Sequence, residues 1–312
     1  MMQVSRALLL LGLTGLSTSA FAQASRDAAP ADVVRSTRPD VHELYGNTAL
    51  KKTTPAASLS TTPALDPAKA PGENFDLSTW YLTLPVDSSE GFSGTASMVR
   101  PIPATYQFWP YFYTGPDGAV VFMAPTDGAT TSGSHYPRSE LRELNRDGSL
   151  AAWTVAKGGS FSATLAVNEV AVLTSGKPGR IVVGQIHGPN DELCRLYYDN
   201  GKLYFHDDKS GPSFVEKQFD LKSSAGFTTQ IPLNAQFTYS IKVTYSALKV
   251  TATFNNVVYS ASEPISSFWP GLSLYFKAGD YVLVGLAGSG ASSTGTGQGQ
   301  ISFYKIGTPT HP

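Results

Sequence analysis

The feature that most limits how this chain can fold is the spacing of its turn signals. From about residue 74 onward, short runs of β-branched and aromatic residues are interrupted by Gly, Pro, Asn and Asp, and no stretch keeps a long amphipathic helical period. Trp80-Tyr81-Leu82-Thr83-Leu84 stops at Pro85, and residues 119–124 follow the turn Gly115-Pro116-Asp117-Gly118. Asp199-Asn200-Gly201 separates residues 195–198 from 202–206, and Asn-Gly tolerates the positive φ angles of a tight hairpin. Residues 237–245 and 249–254 alternate, Asn255-Asn256 turns the chain into 257–260, and 272–281 and 301–306 complete the series. Many strands without helical crossovers pair antiparallel. The expected fold is therefore all-β, a two-sheet sandwich or jelly roll. Few charged residues (15%) with 29 Gly, 15 Tyr and 16 Phe suit that class better than a helical one.

The N-terminus reads as a secretory leader. Arg6 supplies a positive n-region, residues 7–16 an apolar stretch too short to span a bilayer, and Ala20-Phe21-Ala22 a small-x-small cleavage site. Residues 1–22 are expected to be a signal peptide, and the protein to be secreted, extracellular or periplasmic. Residues 23–71 are rich in Ala, Pro, Ser and Thr and read as a linker or pro-segment. The folded domain is expected over 72–308, with a tail over 309–312. Loss of the leader removes Arg6 and no acid, which takes the formal charge from −1 to −2. That balance excludes a globally basic nucleic-acid binder, so any polyanion must be held by locally focused positive charge. The one cysteine, Cys194, has strand-like flanks and reads as a buried core thiol. The Gly/Ser/Thr-rich residues 285–299 read as a loop before the last strand. They lack the Lys-Ser/Thr and following helix of a phosphate cradle.

Three segments concentrate chemistry. Alternate residues of a strand share a face. In Arg138-Ser139-Glu140-Leu141-Arg142-Glu143, the side chains of Arg138, Glu140 and Arg142 fall on one side, and Leu141 marks the other as core. Two guanidinium groups with a carboxylate between them suit bidentate capture of a carboxylate, although an exposed salt-bridge ladder is the ordinary alternative. Residues 181–188 form an apolar run whose end turns polar, with Gln185 and His187 on one face and Ile186 on the other. An amide beside an imidazole suits acid–base work, and a histidine capping a loop carbonyl is the ordinary alternative. Tyr275, Lys277, Gly279 and Tyr281 also share a face. Lys277 reads as holding a negative group, and Gly279 as leaving room for a ligand. Together these side chains suit proton abstraction at C5 of a uronate. That step builds negative charge on the uronate carboxylate, and donors that neutralise it stabilise the transition state. A base takes the proton, an acid protonates the leaving O4, and His187 and Tyr281 can divide the two tasks. No metal or other cofactor is needed if Arg and Gln neutralise the carboxylate.

In these motifs the chain resembles the alginate lyases of polysaccharide lyase family 7. The match is Arg138-Ser139-Glu140-Leu141-Arg142, Gln185-Ile186-His187 and Tyr275-Phe276-Lys277-Ala278-Gly279-Asp280-Tyr281, in order and at similar spacing. Asn74-Phe75-Asp76-Leu77-Ser78-Thr79-Trp80 and residues 111–119 also look like family segments, and the likeness covers roughly residues 73–307. The resemblance implies a β-jelly roll with a concave substrate sheet and a monomeric enzyme that takes alginate, without nucleic acid or membrane as partner. It implies endo-acting β-elimination that leaves a 4,5-unsaturated uronate at the new non-reducing end. Arg138 and Gln185 would neutralise the carboxylate, His187 would act as base or help neutralise, and Tyr281 would donate to O4 and could also be the base. Glu140, Arg142, Lys277 and Tyr275 would bind substrate or set geometry. Relatives with Ile in Gln-x-His often accept guluronate-containing blocks, and Ile186 points away from the substrate face, so any effect is indirect. Leu283 stands where the family commonly has Gln. The rival readings are a lyase for another polyuronate such as glucuronan, a non-catalytic acidic-polysaccharide-binding jelly roll, and a jelly-roll glycoside hydrolase. The last needs two carboxylates about 5–10 Å apart, and the sequence shows no Glu-x-Asp run.

Overall fold

The computed structural model describes residues 64–312. The expected leader and most of the expected linker lie outside the described residues. Within them the strands, numbered in chain order, form two large antiparallel sheets. The first has eight strands, in the order β11 (Val215–Asp220), β10 (Lys202–Ser210), β9 (Glu192–Asp199), β8 (Arg180–His187), β15 (Tyr275–Val282), β5 (Arg138–Glu143), β1 (Trp80–Thr83) and β2 (Met98–Val99). The second has seven: β14 (Val257–Pro264), β13 (Ala247–Phe254), β12 (Phe237–Val243), β6 (Gly159–Glu169), β17 (Gln298–Ile306), β4 (Val120–Pro125) and β3 (Phe112–Thr114). A small pair joins β7 (Val172–Leu173) to β16 (Gly295–Thr296). The one helix among the described residues is α1 (Pro71–Asn74). The fold is a β-jelly roll.

Alternation drives the packing. Strand β12 buries Phe237, Tyr239, Ile241 and Val243 and turns the residues between them outward. Strand β6 does the same with Phe161, Ala163 and Leu165. The sequence reading omitted β6, although its Ser/Thr-spaced apolar residues carry the same period-2 signal. Facing residues of the first sheet include Leu82, Leu141, Ile186, Leu196, Phe205 and Phe276, and one apolar core joins the two sheets. Phe161 meets Trp80 edge-on at 5.2 Å and Phe276 at 5.8 Å across the sandwich. Cys194 is fully buried there, as expected. The Asn-Gly signal is realised as the β9–β10 hairpin, with φ of 48° at Asn200 and 86° at Gly201. Asn255 and Asn256 turn β13 into β14 with φ of 48° and 62°.

Several segments differ from expectation. Residues 285–299 are not all loop, because β16 and the start of β17 lie within them. Residues 64–71, assigned by composition to the linker, pack on the domain: Leu65 lies against the core, and Asn74 exchanges hydrogen bonds with the Asp66 backbone. In the expected tail, His311 bonds Glu143 Oε1 at 2.6 Å and the Gly158 carbonyl at 2.9 Å. Glu143 also accepts from Trp153 Nε1 and the Phe276 N–H, so one buried carboxylate ties β5, β15 and the C-terminus together.

Candidate active site

The strand order places the three motifs side by side, with β15 between β8 and β5. Register then sets the neighbours. Lys277 lies opposite both Arg142 and Gln185, Tyr281 opposite Arg138, and Tyr275 opposite His187. Leu141, Ile186, Phe276 and Ala278 fill the core, so the polar members of each motif lie on the outer face of the sheet. On β8 strict alternation fails at residues 183–184. Val182 joins the outer face, Val183 is core, and a Cβ on Gly184 would meet the Tyr239 hydroxyl at 2.5 Å. The register shift between Val182 and Gly184 against β9 is a bulge, after which Gln185 and His187 return to the outer face. Gly279 does not clear room for a ligand. A Cβ there would lie 2.5 Å from the Ser139 carbonyl oxygen and 2.7 Å from Glu140 Cα, so the missing side chain lets β5 approach β15.

Glu140 is the hub. It is 1% exposed, and its Oε2 takes Arg138 Nη1 at 3.2 Å and Lys277 Nζ at 2.5 Å, while Oε1 accepts from the Gln185 amide. Burial raises its pKa, but Lys277 and Arg138 outweigh burial and hold the carboxyl below its usual range. Burial and the Arg138 charge push Lys277 down to about 8, against the pull of Glu140. The negative group that Lys277 holds is thus Glu140 itself. Arg138 places its guanidinium 3.7 Å over the Tyr281 ring. The Tyr281 hydroxyl meets Ser134 Oγ at 3.1 Å, and its ring stands edge-on to Tyr136. Arg142 lies 3.7 Å over the Tyr275 ring and donates to the Tyr81 hydroxyl at 3.3 Å. Tyr275 in turn stacks on His187, at 5.2 Å and 9°. The eight expected residues therefore fall into two contact groups, Arg138, Gln185, Lys277 and Tyr281 around Glu140, and Arg142 and His187 on either side of Tyr275, which strand register sets side by side.

His187 is held in a defined tautomer. Its Nδ1 lies 2.5 Å from the Gly188 carbonyl oxygen, which only accepts, so Nδ1 carries the proton. Burial, helped by the Lys277 charge, pushes its pKa down to about 4, so the ring is neutral at pH 7. Its Nε2 faces Glu192 Oε1 at 3.2 Å. Beyond Tyr281 the same face carries Val182, Tyr197, Tyr204 and Leu283, with Tyr136 packed against them. Arg180 donates to the Tyr204 hydroxyl and lies 5.0 Å over Tyr197. The sequence reading missed Tyr81, Ser134, Tyr136, Arg180, Glu192, Tyr197 and Tyr204. In β9 the signal was readable, because Arg195 and Tyr197 alternate with the buried Cys194, Leu196 and Tyr198. Ser134 and Tyr136 lie in a loop and carry no periodic signal.

The family model described as Alginate lyase matches residues 75–310. A curated alginate lyase of Klebsiella pneumoniae is 33% identical over 270 residues, which covers 72% of this chain and 87% of that protein. The crystal structure of the alginate lyase from Klebsiella pneumoniae superposes with a TM-score of 0.65 at 29% identity, over 78% of this chain and 99% of that one. Alginate lyase A1-II′, a member of polysaccharide lyase family 7, superposes with a TM-score of 0.59 at 30% identity, over 78% and 98%.

Proposed function

We propose that this chain, which belongs to the alginate lyases of polysaccharide lyase family 7, is a secreted, endo-acting enzyme that cleaves the 1,4-bonds of alginate by β-elimination. The chain is a polysaccharide lyase. The observation that carries the reading of the site is the 3.7 Å approach of the Arg138 guanidinium to the Tyr281 ring. It sets the cation suited to neutralising a uronate beside the hydroxyl suited to moving its protons. Glu140 engages Arg138 only through Nη1 and takes a single hydrogen of the Gln185 amide. Both groups keep donors for a substrate carboxylate.

In the proposed reaction Arg138 and Gln185 bind the carboxylate next to the scissile bond and stabilise the charge that develops as C5 loses its proton. The C5–H electrons form the C4–C5 double bond, the C4–O4 bond breaks, and O4 takes a proton from Tyr281. His187 or Tyr281 takes the C5 proton. Arg142 and Tyr275 bind a neighbouring residue of the polymer, while Glu140 and Lys277 hold the neutralising groups in place. The hydrolase reading loses its ground here, because Glu140 is buried and bound to three cationic or amide donors. The leader-like N-terminus supports secretion, and a face that continues past Tyr281 in both directions supports internal cleavage of a long chain.

Elimination creates an unsaturated uronate that absorbs in the ultraviolet, whereas hydrolysis and binding do not. Incubation with alginate should raise that absorbance. Tyr281→Phe should lower the rate by about 10²-fold or more while the protein stays folded. No absorbance change with alginate, mannuronan or guluronan would remove the lyase reading, and full activity in Tyr281→Phe would remove the role of that residue.

A further inference from the structure

His187 has one nitrogen with a lone pair, and Glu192 stands in front of it. The connection from β8 to β9 is only Gly188-Pro189-Asn190-Asp191, closed by the Gly188 N–H donating to the Asp191 carbonyl at 2.8 Å. So short a turn sets Glu192 directly across from His187 in the ladder. The backbone N–H of Glu192 donates to Asp208 Oδ2 at 2.9 Å. Arg195, pinned by Asp208 and Glu216, holds its Nε 3.8 Å from Glu192 Oε2. The Glu192 backbone is thus held by Asp208, and its side chain lies between the Arg195 guanidinium and His187, with Oε1 3.2 Å from His187 Nε2. The Gly188 carbonyl keeps the ring proton on Nδ1. Glu192 therefore fills the space through which a sugar C5–H would reach Nε2.

We infer that Glu192 is a specificity-determining positioning residue: it withholds His187 from base duty and so biases this lyase toward mannuronate. The inference rests on the lyase reading above. Stereochemistry links the base to the block. In mannuronate the C5 proton and O4 lie on one face of the ring, so the Tyr281 oxygen can take the proton from C5 and pass it to O4 as the C4–O4 bond breaks. In guluronate they lie on opposite faces, and a second group must take the C5 proton while Tyr281 serves O4. His187 is that group, and it is usable only when Glu192 moves aside. Burial, with Asp208 nearby, pushes the Glu192 carboxyl up to about 8. In its protonated form it can share its hydrogen with the neutral ring it faces. Ile186 is fully buried in the core and touches no substrate, whereas Glu192 stands on the reacting face.

The test compares initial rates on separate mannuronan and guluronan for the full-length wild type, Glu192→Ala and Glu192→Gln. Wild type should be faster on mannuronan. Glu192→Ala should raise the guluronan-to-mannuronan ratio at least about tenfold by freeing a general base. Glu192→Gln matches the native side chain in size and still offers a donor, so it should stay near the wild-type ratio. A merely structural role would lower both rates together and leave the ratio alone. A wild type that prefers guluronan, or an unmoved ratio in Glu192→Ala, overturns the inference and leaves the lyase reading intact. A wild type inert on both polymers overturns the lyase reading, and this inference with it. The ¹⁵N shift of His187 Nε2 in the wild type decides the matter if the alanine variant does not fold. An Nε2 that accepts a hydrogen bond on a neutral ring supports the inference, and a free one overturns it.

Discussion

Asp280 shows how much of the site is made by groups that never meet substrate. It follows Gly279 and precedes Tyr281, and its side chain turns the other way, into the protein. Oδ2 accepts the Ala124 N–H at 3.0 Å, Oδ1 has no partner, and burial raises its pKa well above the usual carboxylate value. The carboxyl therefore holds its proton more tightly in the folded protein than in the unfolded one. A raised carboxyl pKa means that the native state binds more protons, so this group's contribution to stability falls as pH rises above the unfolded value of 3.8. Asp280→Asn keeps the acceptor for Ala124 without the ionisation. It should raise Tm by about 2–4 °C at pH 8 and leave it nearly unchanged at pH 4, as read by calorimetry at both pH values.

At the scale of elements, the approach of β5 to β15 decides whether the side chains of the site meet. Gly279 has φ of 149° and sits where a methyl group would strike the backbone of Ser139 and Glu140. Gly279→Ala should part these strands near Tyr281. We expect a loss of about 1–3 kcal/mol in a urea melt and a fall in activity greater than that loss explains. The same strands show what alternation can reveal. In residues 138–143 it placed every side chain correctly, because no bulge interrupts the pairing of β5 with β1 or β15. In residues 181–187 it placed Gln185 and His187 correctly, yet it could not show the bulge at 183–184. That irregularity answers the Tyr239 hydroxyl, which arrives from β12 across the sandwich. Gly279 was misread for a related reason: from sequence alone a glycine marks a close approach but does not name what approaches. Glu192 could not be connected to His187 without knowing how tightly residues 188–191 turn.

Over the whole molecule, stability and function are unevenly shared. The sandwich is joined by an apolar core, whereas the segment that supports Tyr281 from outside is tied by polar contacts. Ser134 meets the Tyr281 hydroxyl, His135 bonds the Ser289 carbonyl at 3.1 Å, and the Tyr136 hydroxyl bonds Ser292 Oγ at 2.8 Å and receives the Ser293 N–H at 3.0 Å. Around these contacts lie glycines at 285, 288 and 290, and Leu286 is largely exposed. Segments with little apolar burial open at lower free energy than the domain as a whole. Warming should therefore disarm the enzyme before it melts. Activity should fall reversibly below the temperature at which tryptophan fluorescence reports unfolding, and Tyr136→Phe should widen the gap between the two curves. Coincident curves for wild type and variant would show instead that these contacts share the cooperativity of the core. With a gap, the thermal limit of catalysis is set by a few serine hydroxyls, and it can be raised without touching either sheet.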